Sequence, residues 1–141
     1  ARGRAAHPDG LGTRASEALR SGTVLLFTSR GLVKTADPDT SLAIARAVSD
    51  AVSEVVRRVV ELVLPAFILA KGGITSSDVA TRGLGVRRAM VVGPMLPGTV
   101  SLWRPADGPA AGIPYVVFPG NVGDETALSR VVRALRSPAS P

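Results

Sequence analysis

Residues 66–78 read Ala-Phe-Ile-Leu-Ala-Lys-Gly-Gly-Ile-Thr-Ser-Ser-Asp, and the rest of the chain is organised around this stretch. It opens with five apolar residues, which predict a short strand buried on both faces. Gly72 and Gly73 follow, and glycine permits positive φ and lets another group approach the bare backbone. Thr75 or Ser76 is then expected to cap a helix. A strand, a glycine pair and a helix N-terminus together suit a phosphate, although the same turn is common in α/β proteins that bind nothing there.

Composition indicates one folded domain. The chain has 141 residues, of which 45% are hydrophobic and 20% charged, as is typical of a globular protein. No apolar run approaches the ~20 residues that span a bilayer, so no membrane partner is expected. The chain begins at Ala1 without an initiator Met and is interpreted as a piece of a longer protein.

Catalytic and metal-binding patterns are not found in the sequence. Cysteine is absent, which rules out disulfides and thiolate chemistry and is consistent with a cytoplasmic location. The single histidine, His7, lies beside Pro8 in a polar stretch near the N-terminus. With one such histidine, neither a metal-ligand cluster nor a Ser/His/Asp arrangement can be assembled. We therefore assign no metal ligand, and the catalytic residues stay unknown.

The basic charge raises the question of a nucleic-acid partner. The net charge is +6, but the basic residues are almost all arginines scattered along the chain. They form no recognition motif, and there is no aromatic platform on which bases would stack. The one tryptophan, Trp103, could cover a base, but a lone tryptophan at the edge of a loop is more often a packing residue. A solvated basic surface is the preferred interpretation, without nucleic acid.

Helix-like and strand-like segments alternate along the chain. This order predicts a three-layer α/β domain with a mainly parallel sheet and helices on both faces. The predicted helices cover residues 13–20, 37–63, 76–82 and a last segment that starts between 124 and 126. The predicted strands cover residues 23–28, 66–70, 86–92, 100–103 and 113–118, with an irregular segment at 93–98. Residues 1–12 and 137–141 are predicted to be tails, so the domain is expected at residues 13–136.

A second glycine turn, at residues 119–123, reads Pro-Gly-Asn-Val-Gly and follows the last predicted strand. Ser29 follows the first predicted strand in the same way. Because ligands of open α/β sheets bind outside the carboxyl ends of the strands, parallel strands would bring these turns together. We therefore predict that Ser29, Gly72, Gly73 and Gly120 line one cleft. The alternative is that each is a structural turn, and independent turns have no reason to converge.

The glycine turns follow one another in a characteristic order over about residues 13–136. Ser29 follows a strand, Gly72-Gly73-Ile74-Thr75-Ser76 precedes a helix, and then come residues 93–98, ending in Pro-Gly, and 119–123. This series resembles the C-terminal nucleotide-binding domain of the four-carbon acid sugar kinases, which phosphorylate 3-oxo-tetronates, threonate and related acids. The resemblance implies the cofactors ATP and Mg²⁺, and ATP contacts at Ser29, Gly72, Gly73, Ile74, Thr75 and Gly120.

The same resemblance implies that the acid and the catalytic base belong to a separate N-terminal domain, which is missing here, and it leaves a homodimer open. Two positions depart from the family pattern. Ile74 stands where an acidic residue is more frequent, and Phe118-Pro119 stands where a lysine is common. The preferred interpretation is the ATP-binding domain of a sugar acid kinase, inactive by itself. The alternative is a degenerate domain of the same fold that serves assembly or regulation.

Overall fold

The structure, a computed structural model, describes residues 7–29, 37–98 and 100–137. Its helices are α1 (Pro8–Leu19), α2 (Pro38–Leu62), α3 (Gly73–Asp78) and α4 (Ala127–Arg136), and α3 runs directly into a π-helical turn at Val79–Gly83. Its strands are β1 (Ile68–Lys71), β2 (Ala89–Leu96), β3 (Val100–Pro105) and β4 (Tyr115–Phe118). Residues 1–6 and 138–141 of the predicted tails lie outside the described residues.

The four strands form one sheet in the order β1-β4-β3-β2, and helices cover both of its faces. On one face, α2 and the helical run from α3 close a core that includes Val60, Ala70 and Tyr115. On the other face, α4 closes a core that includes Phe118 and Val131. Tyr115 and Phe118 serve opposite cores because residues an odd number apart in a strand point to opposite faces. The predicted three-layer α/β arrangement is confirmed.

The prediction of a mainly parallel sheet is wrong. Only β1 and β4 pair in parallel, whereas β2 pairs with β3 and β3 with β4 in antiparallel fashion. The connections between these strands explain the difference. β2 and β3 are joined by a tight turn at Pro97 and Gly98, and β3 reaches β4 through a short loop without a helix. Such short links join antiparallel neighbours, since a parallel pair needs a crossover of a dozen or more residues.

The prediction of a strand at residues 23–28 is also wrong. This segment has no regular secondary structure, and the side chains of Leu25 and Phe27 are 72% and 78% exposed. Its apolar, β-branched composition is typical of a buried strand, but a strand forms only where a neighbour pairs with its backbone groups. Among the described strands β1 pairs with β4 alone, so the segment has no partner in the sheet.

β2 is longer than the sequence predicts, and it includes residues 93–96 of the segment expected to be irregular. Gly93 and Pro94 are accommodated because β2 is an edge strand with two register shifts, between Val91 and Gly93 and between Pro94 and Leu96. Proline is tolerated at edges and bulges, where its missing N–H breaks no ladder bond. Composition alone therefore predicted the end of this strand too early.

α1 begins at Pro8, within the stretch that the sequence predicts to be a tail. Proline suits the first helical position, and Asp9 in the first turn complements the helix dipole. The first turns of α1 are not predicted from the sequence because Gly10 and Gly12 interrupt the helical pattern of apolar residues. Gly12 is buried against α2, where an added Cβ would lie 2.6 Å from Cγ of Arg58. The glycine thus permits close contact between α1 and α2.

α2 is the long helix that the sequence predicts. Its N-cap is Asp37, as expected, and the carboxylate of that residue accepts hydrogen bonds from the amides of Asp39 at 3.3 Å and Thr40 at 2.8 Å. Its buried residues include Val55 and Val59, four apart on one face. Across the described residues, every helix is too short or too polar to cross a membrane.

Candidate functional site

The two glycine turns lie side by side at one edge of the sheet. β1 and β4 are parallel, and their register places Lys71 opposite Phe118, so both turns leave the carboxyl ends of neighbouring strands. The amide of Gly72 donates a 2.8 Å hydrogen bond to the carbonyl oxygen of Phe118. A Cβ added to Gly120 would lie 3.7 Å from Cα of Gly72. The structure therefore brings Gly72 and Gly120 together, at the edge where α/β sheets bind ligands.

Gly72 turns the chain from β1 into α3. Its φ of 103° lies in the left-handed region that favours glycine. Its carbonyl oxygen accepts a 2.8 Å hydrogen bond from the amide of Ser76, so Gly72 is the N-cap and α3 begins at Gly73. The predicted cap at Thr75 or Ser76 is wrong because the glycine turns the chain earlier. The hydroxyl of Ser76 instead donates at 2.9 Å to the carbonyl oxygen of Ala70.

The first turn of α3 presents an open surface of backbone. Gly73, Ile74 and Thr75 are all exposed, and a Cβ added to Gly73 would meet no atom within 4 Å. The first N–H groups of a helix have no intrahelical acceptor. The helical run continues from Gly73 through the π-helical turn to Gly83, which adds to the dipole whose positive end lies at this turn. The first turn of α3 thus offers exposed amide donors directly after Gly72, the residue that meets Gly120.

Lys71 adds a positive charge that the sequence reasoning missed. Its ammonium donates to the carbonyl oxygens of Pro119 at 3.3 Å and Gly120 at 3.2 Å, and it lies 4.4 Å from the centre of the Phe118 ring. It thereby ties the end of β1 to the second glycine turn. The signal in the sequence was a lysine directly before the glycine pair. The ammonium of Lys71 thus lies beside Phe118-Pro119, where the kinase family commonly has a lysine.

Tyr115 fixes α3 on the sheet beneath these turns. Its hydroxyl donates a 2.7 Å hydrogen bond to the carbonyl oxygen of Ser76, and the residue is 2% exposed. Burial raises the pKa of Tyr115 well above its ordinary value of 10.0, because the charged phenolate would lose its solvation. The phenol therefore remains a neutral donor at every physiological pH. It holds the helix that carries Gly73 in a constant position relative to β4.

Ser29 does not follow a strand of the sheet, contrary to the prediction from the sequence. It lies exposed at the end of the irregular segment 23–29, and no strand carries it to the carboxyl edge of the sheet. A contact between Ser29 and a nucleotide stays a prediction, as do those assigned to Gly72, Gly73, Ile74, Thr75 and Gly120.

Within residues 7–29, 37–98 and 100–137, no group of three or more His, Cys, Asp or Glu side chains is placed to hold a metal ion. Ile74, 79% exposed beside the glycine pair, offers an apolar side chain where the kinase family more often has a carboxylate. Mg²⁺ is usually bound through one or two carboxylates together with substrate phosphates.

Solved structures of similar fold come from Bordetella bronchiseptica. They are two crystal forms of a protein with a domain of unknown function, DUF1537, each a domain-swapped dimer with bound citrate. One is 24% identical with a TM-score of 0.52, covering 92% of this chain and 38% of the other. The second is 23% identical with a TM-score of 0.48, covering 94% and 37%. The chain thus spans well under half of the length of these relatives.

The family of the chain follows from a longer match. Comparison with curated proteins gives no match. The model of the family described as "Nucleotide-binding C-terminal domain" matches residues 3–128, which include both glycine turns and every strand of the sheet. This match confirms the resemblance to the C-terminal domain of the four-carbon acid sugar kinases. The chain belongs to the nucleotide-binding C-terminal domain family.

Proposed function

We propose that this chain is the ATP-binding domain of a kinase that phosphorylates four-carbon sugar acids such as 3-oxo-tetronate or threonate. The observation that carries the proposal is the meeting of Gly72 and Gly120 at the carboxyl ends of the parallel strands β1 and β4. Family membership supports a nucleotide ligand, and the meeting of the two glycine turns supports phosphate binding at this edge of the sheet.

The proposed role of the edge is to hold the triphosphate. The open amides of the first turn of α3 would donate to phosphate oxygens, and the Lys71 ammonium would balance their charge from the side of Gly120. Phosphoryl transfer depends mainly on positioning and charge stabilisation. An acceptor hydroxyl oxygen attacks the γ-phosphorus, the bond to the bridging oxygen of ADP breaks, and a base takes the hydroxyl proton.

The acceptor acid and the base are assigned to a separate N-terminal domain. The chain spans 38% of the Bordetella protein of similar fold, so such an enzyme has room for that domain. We also propose that two copies of the chain form a homodimer. Leu25 and Phe27 present an exposed apolar segment that a second copy would cover, and the Bordetella protein is a domain-swapped dimer. Sedimentation of the purified chain at increasing concentration measures this association.

Calorimetric titration with ATP, with and without Mg²⁺, tests the proposed function. We expect saturable binding of one ATP per chain that strengthens when Mg²⁺ is present. Random DNA at several salt concentrations serves as the control for unspecific attraction to the basic surface, because such binding weakens steeply with salt. A folded chain that takes up no ATP would remove the kinase proposal.

The second candidate is a degenerate domain that serves assembly or regulation. The exposed side chain of Ile74, in place of a more frequent carboxylate, favours it. The same titration separates the two candidates, because a degenerate domain keeps the fold without binding ATP.

A further inference from the structure

A cavity of about 180 Å³ opens beside Gly73, between the helical run from α3 and the sheet. From the helical side, Gly73, Ser77, Ala80 and Thr81 line it, and from the sheet side Val117 and Trp103 line it. Residues three or four apart share a helix face, so these helical positions form one continuous wall that starts at the glycine turn. A ligand held at the turn would enter this cavity without crossing the chain.

The walls of the cavity suit a flat, uncharged ring. Ala80, Val117 and the half-buried indole of Trp103 are apolar, and no charged side chain among the residues that the structure describes lines the space. Hydroxyls of Ser77 and Thr81 stand at the helical side. That of Thr81 donates at 2.8 Å to the carbonyl oxygen of Ser77, and its oxygen can still accept a hydrogen bond. Among these described residues a phosphate would find no counter-charge, whereas a heterocycle would find an indole side chain and hydroxyl groups.

The volume is also too small for a whole nucleotide. Pockets that enclose a complete small ligand measure roughly 300–1,000 Å³. A space of about 180 Å³ admits one ring system and leaves the rest of the ligand outside. The open surface at Gly73 lies at the end of the cavity where that remainder would emerge.

We propose that this cavity is the base subsite of the nucleotide site and that Trp103 contacts the face of the base. The inference rests on the proposed function, which places the phosphates at Gly73, and it adds the residues that bind the other end of the ligand. Stacking on an aromatic side chain is worth ~1–3 kcal/mol per base, which corresponds to roughly 5- to 150-fold in affinity. Trp103 therefore both packs against the core between the sheet and α2 and forms the platform for the base.

The fluorescence of Trp103 tests the proposal directly, because it is the only tryptophan of the chain. ATP and inorganic tripolyphosphate are titrated in parallel, with binding followed by calorimetry and by tryptophan emission. We expect both ligands to bind and ATP alone to change the emission, with the same dissociation constant by both methods. ATP binding without an emission change, or an equal change with tripolyphosphate, would overturn the base subsite. If neither ligand binds, the proposed function itself fails and the subsite falls with it.

Substitution of Ser77 provides an independent test. Leucine at position 77 would fill the cavity with its larger side chain. The fold should tolerate Ser77→Leu, because Ser77 is exposed on α3 and leucine has a higher helix propensity than serine. We expect Ser77→Leu to weaken ATP binding at least about fivefold, the lower limit of the stacking contribution, and to leave tripolyphosphate binding unchanged. Ser129→Leu is the matched control, because it makes the same substitution at an exposed position of α4, on the other face of the sheet, and it should bind both ligands as the parent chain does. Undiminished ATP affinity in Ser77→Leu, or an equal loss for both ligands, contradicts the proposal.

Discussion

The amide of Gly72 donates a 2.8 Å hydrogen bond to the carbonyl oxygen of Phe118, and this bond joins the ends of the only parallel strand pair among the described residues. It sets the two glycine turns next to each other at the carboxyl edge. The proposed phosphate site therefore depends on one ladder position between β1 and β4.

Gly73→Val should abolish ATP binding while the domain stays folded. A Cβ at this position meets no atom within 4 Å, so the fold has room for the side chain, which would occupy the space proposed for a phosphate. Gly10→Val is the matched control, because Gly10 is also in the first turn of a helix and equally open. Calorimetry measures the binding and thermal unfolding measures the fold. Unchanged ATP affinity in folded Gly73→Val protein would rule out this site.

Lys71→Met should weaken ATP binding about tenfold at low salt, since one positive charge near the phosphates is removed while the apolar stem remains. The loss should shrink as salt rises, because ions screen the charge at an exposed residue. Lys71→Arg keeps the charge and serves as the control, with affinity close to that of the parent chain. Equal ATP affinity of Lys71→Met and the parent chain at low salt would show that Lys71 does not face the phosphates.

Asp107→Asn should lower the thermal stability at neutral pH by a few degrees, with the difference disappearing in acid. The Asp107 carboxylate accepts hydrogen bonds from the amides of Arg87 at 2.8 Å and Arg88 at 3.3 Å. These bonds hold the pKa of Asp107 below its ordinary value of 3.8, and the bond from Arg87 contributes most. A carboxylate with a lowered folded-state pKa adds stability above its unfolded value and loses it as the pH falls through the folded value.

The measurement for Asp107 is the unfolding temperature between pH 7 and pH 2, with Glu125→Gln at an exposed turn position as the control for the lost charge. The parent chain and Asp107→Asn should converge as the pH falls through the lowered folded-state pKa of Asp107, because the carboxyl group is then neutral. A gap that stays constant over the whole range would assign the effect to the amide itself and not to ionisation.

The isolated chain should not transfer phosphate from ATP to 3-oxo-tetronate or threonate, because the acceptor site and the base are assigned to another domain. A coupled assay for ADP release, run with and without each acid, measures the turnover. We expect no rate above that of ATP alone. Formation of a phosphorylated acid by the purified chain would contradict the division of labour between two domains.

The chemistry of neighbouring residues determined several features that could be predicted from the sequence. Asp37 and Pro38 start α2 because a carboxylate next to a proline satisfies the first amides of a helix whatever packs against it. Gly72 turns the chain after β1 because only glycine readily adopts its φ of 103°. The placement of both glycine turns after strands of the sheet is likewise local, and it could be read without knowing the partners of those strands.

Tertiary structure alone decided which strands pair, in which direction, and what then meets at the edge. The segment 23–28 has the composition of a strand yet stays unpaired, since composition does not say whether a sheet edge is within reach. The cap of α3 lies at Gly72 because that glycine turns the chain before Thr75 and Ser76, and the hydroxyl of Ser76 donates instead to the carbonyl oxygen of Ala70. Lys71 faces Gly120 only through the register of β1 on β4. Contacts between residues far apart in the chain depend on backbone pairing, and pairing is a property of two segments that neither one carries alone.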